Sequence, residues 1–148
     1  NVRLLIIIGP LFWLGYHFYQ TQLFGFEPGH GWPSDPLTLI GYQLFFVAIP
    51  EEFFYRGYFQ TRLNEVMERR FLIFGVPMGW GSVWASLFFA FGHTIVLFQW
   101  WHFATFFPGM VFAWLREKTG DVTAGAVFHA LCNIAVIHLD THYGIITG

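Results

Sequence analysis

Residues 37–59 read LTLIGYQLFFVAIPEEFFYRGYF, 23 residues interrupted by charge only at Glu51, Glu52 and Arg56. At about 1.5 Å of rise per residue a helix of this length reaches roughly 35 Å, enough to cross the ~30 Å hydrocarbon layer of a bilayer. Four further apolar stretches flank it, at about Leu4–Phe24, Gly81–Phe98, Trp100–Leu115 and Val122–Leu139. The whole chain is 55% hydrophobic, 22% aromatic and only 11% charged, against about 25% charged for a soluble domain. A water-soluble globule is excluded. The expected fold is all-α, a polytopic transmembrane helical bundle of about five spans, with residues 1–148 as a single integral-membrane domain.

The segments between the spans carry their own signals. Residues 27–36 (EPGHGWPSDP) hold prolines and glycines that deny a helix its hydrogen bonds, so a loop is expected. Gln60–Arg70 is polar with Leu63, Val66 and Met67 at helical spacing, the pattern of an amphipathic helix lying on the membrane surface. Phe71–Trp80, broken by Gly75, Pro77 and Gly79, reads as a re-entrant or interfacial piece, and Pro108-Gly109 as a kink in the fourth span. Asn1–Gln20 lacks the small-residue cleavage site of a signal peptide. Net charge is −2 with no basic tract longer than Arg69-Arg70, so nucleic-acid partners are set aside. All seven Lys and Arg fall on one side of the expected spans, which places that side and the N-terminus in the cytoplasm.

In so apolar a chain the ionisable residues within spans are the informative ones, since each costs about 2.5–3.5 kcal/mol near mid-bilayer. Glu51 stands about 14 Å before the polar boundary at Gln60, His129 about 12 Å past Asp121, and His93 about 18 Å past Gly81. Three helices thus deliver a carboxylate and two imidazoles to similar depth. Glu52 and Arg56, four residues apart, can pair on one face, which leaves Glu51 turned by about 100° toward another neighbour. A free carboxylate in such a place suits a general base that takes a proton from water, with His93 sharing or orienting that water. His129 and Asn133, again four apart, project from one face and offer hydrogen-bond donors for an oxyanion. Cys132 reads as a small apolar filler, with a nucleophile as the sharper alternative.

Glu51-Glu52-x-x-x-Arg56, Phe89-x-x-x-His93 and His129-x-x-x-Asn133, in this order on three hydrophobic helices, resemble the motifs of the CAAX protease and bacteriocin-processing (CPBP) family. The resemblance covers about residues 39–137. It implies an intramembrane endopeptidase of glutamic type, with Glu51 activating water, His93 assisting, His129 and Asn133 stabilising the oxyanion, and Glu52 and Arg56 in support. No metal and no other cofactor is implied. The expected substrate is a membrane-anchored protein, possessing a C-terminal sorting segment as in the myxosortase-like subgroup, and the expected location is a bacterial inner membrane. Two other readings stay open. Glu51, His93 and His129 compose a ligand set for a zinc-dependent membrane metalloprotease. A non-catalytic immunity or scaffold protein would keep the same polar core for packing.

Overall fold

The computed structural model describes residues 10, 14–23, 25, 35–67, 69–98 and 100–142. About half of the first expected span and most of the 27–36 loop lie outside the described residues. The elements are a short π-helix α1 (Tyr19–Leu23), α2 (Pro36–Val66), a hairpin of β1 (Arg69–Ile73) and β2 (Val76–Gly79), α3 (Trp80–Leu97), a 3-10 turn (Trp100–Thr105), α4 (Phe106–Thr119) and α5 (Thr123–His142). The all-α expectation holds. Helices α2 and α5, 31 and 20 residues, are long and apolar enough to cross a membrane, while α3 is apolar and slightly shorter.

The chain packs as two compact units, Asn1–Leu39 with Cys132–Gly148, and Ile40–Leu131. In the first, Asp35 receives the N–H of Thr38 at 3.1 Å and so caps the start of α2. The hydrogen bonds with Thr38 hold its carboxyl below the usual carboxylate range. Gln20 Nε2 donates to the Tyr16 hydroxyl at 2.8 Å, and that hydroxyl donates to Asp140.

The second unit is built on α2, which is not a uniform α-helix. Gln43–Ala48 and Phe53–Gln60 are π-helical, on either side of an α-helical turn Ile49–Glu52. Pro50 supplies a reason for the first widening, because its ring lacks an N–H and crowds the carbonyl four residues back, at Phe46. In the widened turn the Ile49 N–H bonds to Leu44 O, five residues back, rather than to the carbonyl of Phe45. Helix α3 packs against α2 and α4. Small or aromatic residues fill the contact, with Ala85, Phe89, Ala90, Phe112 and Ala113 all buried. Phe45, Phe46, Phe53, Ile95 and Val96 face outward. Such an apolar exterior suits lipid as the surrounding solvent.

Three local expectations are corrected. The polar segment Gln60–Arg70 is helical only to Val66 and runs on from the spanning helix without a break, while Arg69 and Arg70 belong to β1. Phe71–Trp80 is mostly a β-hairpin, antiparallel with Phe71 opposite Met78 and Ile73 opposite Val76. Its two turn residues, Phe74 (φ 49°) and Gly75 (φ 76°), are both left-handed, the geometry that matches a two-residue turn to the twist of its strands. The Trp114 indole N–H donates to Ile73 O at 2.9 Å and ties the hairpin to α4. Finally, Pro108 does not kink a helix. It lies in the first turn of α4, where its missing N–H has no intrahelical partner to lose.

Candidate active site

The second unit gathers Glu51, Glu52, Arg56, His93 and His129 around Phe89. Glu52 and Arg56 on α2 have no exposed surface, and Arg56 Nε lies 3.3 Å from Glu52 Oε2. Both atoms miss hydrogen-bond alignment, so the contact is an ion pair. The guanidinium sits between the rings of Phe89 and Phe112, 5.1 and 5.9 Å from their centroids, and donates to Ser86 Oγ at 3.4 Å. Two glycines leave room for this pair. A Cβ on Gly109 of α4 would stand 3.2 Å from Arg56 Nη2, and one on Gly125 of α5 would stand 3.1 Å from Glu52 Oε2.

Glu52 also reaches across 77 residues of sequence to His129, with Nδ1 to Oε1 at 3.2 Å. A carboxylate beside an arginine accepts and does not donate, so His129 Nδ1 carries the proton. The ring is 2% exposed and lies parallel to Phe112, at 4.9 Å between centroids. His93, partly exposed, places Nδ1 2.9 Å from Phe89 O on its own helix α3. A carbonyl only accepts, so this Nδ1 is also the protonated nitrogen. The Nε2 atom of each ring is left over from these contacts. Both Nε2 atoms are near one oxygen, since Glu51 Oε2 is 3.9 Å from His93 Nε2 and 3.8 Å from His129 Nε2.

Glu51 Oε2 is buried and has no hydrogen-bond partner. An orphaned acceptor of this kind costs about 1–3 kcal/mol, and separations of 3.8–3.9 Å are too long for direct hydrogen bonds yet short enough for one water to bridge. Asn133 stands four residues beyond His129 on α5, in the part of that helix belonging to the first unit. Among the described residues no group of three or more His, Cys, Asp or Glu side chains is arranged to hold a metal ion.

Sequence reasoning did not single out Ser86, Gly125 or Phe112, and it read Gly109 only as part of a kink. Only Ser86 carried a visible signal, since Ser82 and Ser86 form a four-residue repeat in an otherwise apolar helix and Ser86 Oγ donates to Ser82 O at 2.8 Å. The glycines matter through neighbours on other helices, which spacing along one helix does not reveal.

These features define a helical membrane protein with a carboxylate and histidine centre buried among its helices. The family described as type II CAAX prenyl endopeptidase Rce1-like matches residues 33–135, and the chain belongs to that family. No curated protein and no solved structure matches it. The matched segment contains all three motifs and agrees with the resemblance to CAAX proteases drawn from them. The protein is therefore an integral membrane protein and a CAAX-type intramembrane protease, whose substrates are membrane-associated proteins.

Proposed function

We propose that the protein hydrolyses a peptide bond with a water activated by Glu51. The observation that carries this reading is the convergence of His93 Nε2 and His129 Nε2 on the unpartnered Glu51 Oε2. A water held there gives one proton to Glu51 as its oxygen attacks the carbonyl carbon of the scissile bond. By the family resemblance, Asn133 and His129 are the residues proposed to stabilise the oxyanion that develops. As the C–N bond breaks, the proton passes from Glu51 to the leaving nitrogen, giving a new C-terminal acid and a new N-terminal amine and restoring the carboxylate. Glu52, neutralised by Arg56, holds His129 by Nδ1 and so fixes which nitrogen faces the water.

The substrate in this reading is a protein anchored in the same bilayer, with a C-terminal sorting segment as in the myxosortase-like subgroup. The enzyme sits in a bacterial inner membrane with its Lys and Arg residues on the cytoplasmic side. The test is quantitative mass spectrometry of membrane-protein termini from cells expressing the wild type or Glu51→Ala. New termini present only with the wild type are expected, on proteins with a membrane anchor. Identical termini in both would refute catalysis through Glu51. A zinc enzyme on the same residues would lose activity in chelators, whereas Glu51 chemistry persists in them.

A further inference from the structure

The β1–β2 hairpin has two unlike faces. Phe71 opposite Met78 and Ile73 opposite Val76 share the inner one, where Val76 and Met78 are buried and β2 packs on α4 and α3. Leu72 opposite Pro77 makes the outer one, and Leu72 is 72% exposed. At the turn Phe74 is 91% exposed, although its backbone holds a left-handed φ of 49°. That conformation is costly for a bulky residue, and a side chain so exposed has little inside the protein to offset the cost.

Two demands fix the depth of this element. A two-stranded sheet leaves backbone N–H and C=O groups unpaired along its outer edges, which the hydrocarbon core cannot satisfy. Its outer face is apolar, which water disfavours. Both demands are met only at the membrane interface, with the edges among headgroups and the apolar face against the upper acyl chains. The neighbours have the same character. Trp80, partly exposed, follows β2 directly, and its ring meets Phe71 edge-on at 6.0 Å between centroids. Trp114, which holds Ile73 O, carries the exposed Lys118 over its ring, with Nζ 4.4 Å from the centroid. Arg69 and Arg70 open β1. Against these three cations stand Glu68, next in sequence to Arg69, and Glu117, which accepts from the amides of Gln60 and Asn64.

We infer that the hairpin is a lipid-binding element: Leu72, Phe74 and Pro77 enter the acyl-chain boundary of the leaflet on the side of the Lys and Arg residues, and Lys118 binds the phosphates of anionic phospholipids there, with Arg69 and Arg70 adding positive charge. The inference is independent of the chemistry at Glu51. Because α3 starts at Trp80, the same contact sets the height of the helix that carries His93.

The test uses the full chain in nanodiscs of phosphatidylcholine with phosphatidylglycerol in equal parts. In a Cys132→Ala background, an environment-sensitive fluorophore is attached through Leu72→Cys or, as an aqueous control, through Asp121→Cys. The fluorophore at position 72 should be quenched by lipids brominated high on the acyl chain and shielded from aqueous iodide, and the control should show the reverse. Phe74→Asn should open position 72 to iodide without lowering the melting temperature in detergent. Mass spectrometry of the lipids retained by the purified protein should find phosphatidylglycerol preferred, and Lys118→Gln should weaken that preference by about fivefold. A fluorophore at position 72 open to iodide in the otherwise unaltered hairpin would place that face in water and overturn the inference. Shielding from both quenchers would overturn it as well, since a second copy or another protein would then cover the face. Equal retention of the two lipids by the wild type, or no change with Lys118→Gln, would overturn the recognition of anionic headgroups.

Discussion

At the scale of single residues, the two adjacent glutamates have different surroundings and should fail differently. Glu51 touches no cation on its own helix, and its Oε2 faces two imidazoles. Glu51→Ala should give a folded protein, with an unchanged melting temperature and no measurable cleavage. Glu52 is fully buried between Arg56 and His129. Removing it strands a buried guanidinium, and losing one member of such a pair costs about 3–5 kcal/mol. Glu52→Ala should therefore show reduced yield and a lower melting temperature, which thermal unfolding in detergent would register. Asn133→Ala should fold and retain residual turnover, slower by about 10²- to 10³-fold, as for other lost oxyanion donors. Cys132→Ala should cleave at a near-normal rate. An inactive Cys132→Ala beside an active Glu51→Ala would reassign the nucleophile to the thiol. The Glu52–Arg56 pair was legible from its four-residue spacing, because both partners share a helix. The contact of Glu52 with His129 was not, since helix–helix packing creates it and no local pattern encodes it.

At the scale of elements, the glycines around the hairpin set how closely α2 and α3 approach. A Cβ on Gly81 would lie 2.7 Å from the Asn64 backbone nitrogen and 2.8 Å from Leu63 Cβ, neither of which can swing away. Gly81→Ala should lower the melting temperature, by an overpacking cost of about 1–3 kcal/mol. The turn makes the opposite prediction. Phe74 holds a left-handed φ of 49° that Asn adopts more readily, and its side chain is 91% exposed, so Phe74→Asn should raise thermal stability slightly or leave it unchanged. The apolar periodicity revealed the long helices, whose exteriors and interiors are both hydrophobic. It concealed the hairpin, because a Phe-Gly turn lacks the Asn or Asp that usually marks one, and because Gly75, Pro77 and Gly79 in an apolar run suggest an interruption more readily than a strand. Hydrogen bonds between β1 and β2 satisfy the backbone that these breakers leave open.

At the scale of the whole molecule, the charge distribution along the chain makes one statement about topology. Lys118 and His30 should react with membrane-impermeant reagents from opposite faces when each is replaced by cysteine in a Cys132→Ala background. Labelling of both from one face would reverse the orientation drawn from charge. Length is governed by another feature of the molecule. In an ordinary spanning helix, deleting one residue turns everything beyond it by about 100° and carries any polar group there into lipid. The π turns at Gln43–Ala48 and Phe53–Gln60 enclose one more residue per hydrogen-bonded ring than α turns do. Each is a store of slack. A one-residue deletion inside either stretch can be absorbed by tightening it to an α turn, keeping Glu51 and Glu52 in phase with His93 and His129, whereas the same deletion within Ile49–Glu52 would throw the carboxylates out of register. Relatives that differ in length along this helix should therefore differ within those two stretches, making the widened turns the places where the spanning helix can change length without losing its chemistry.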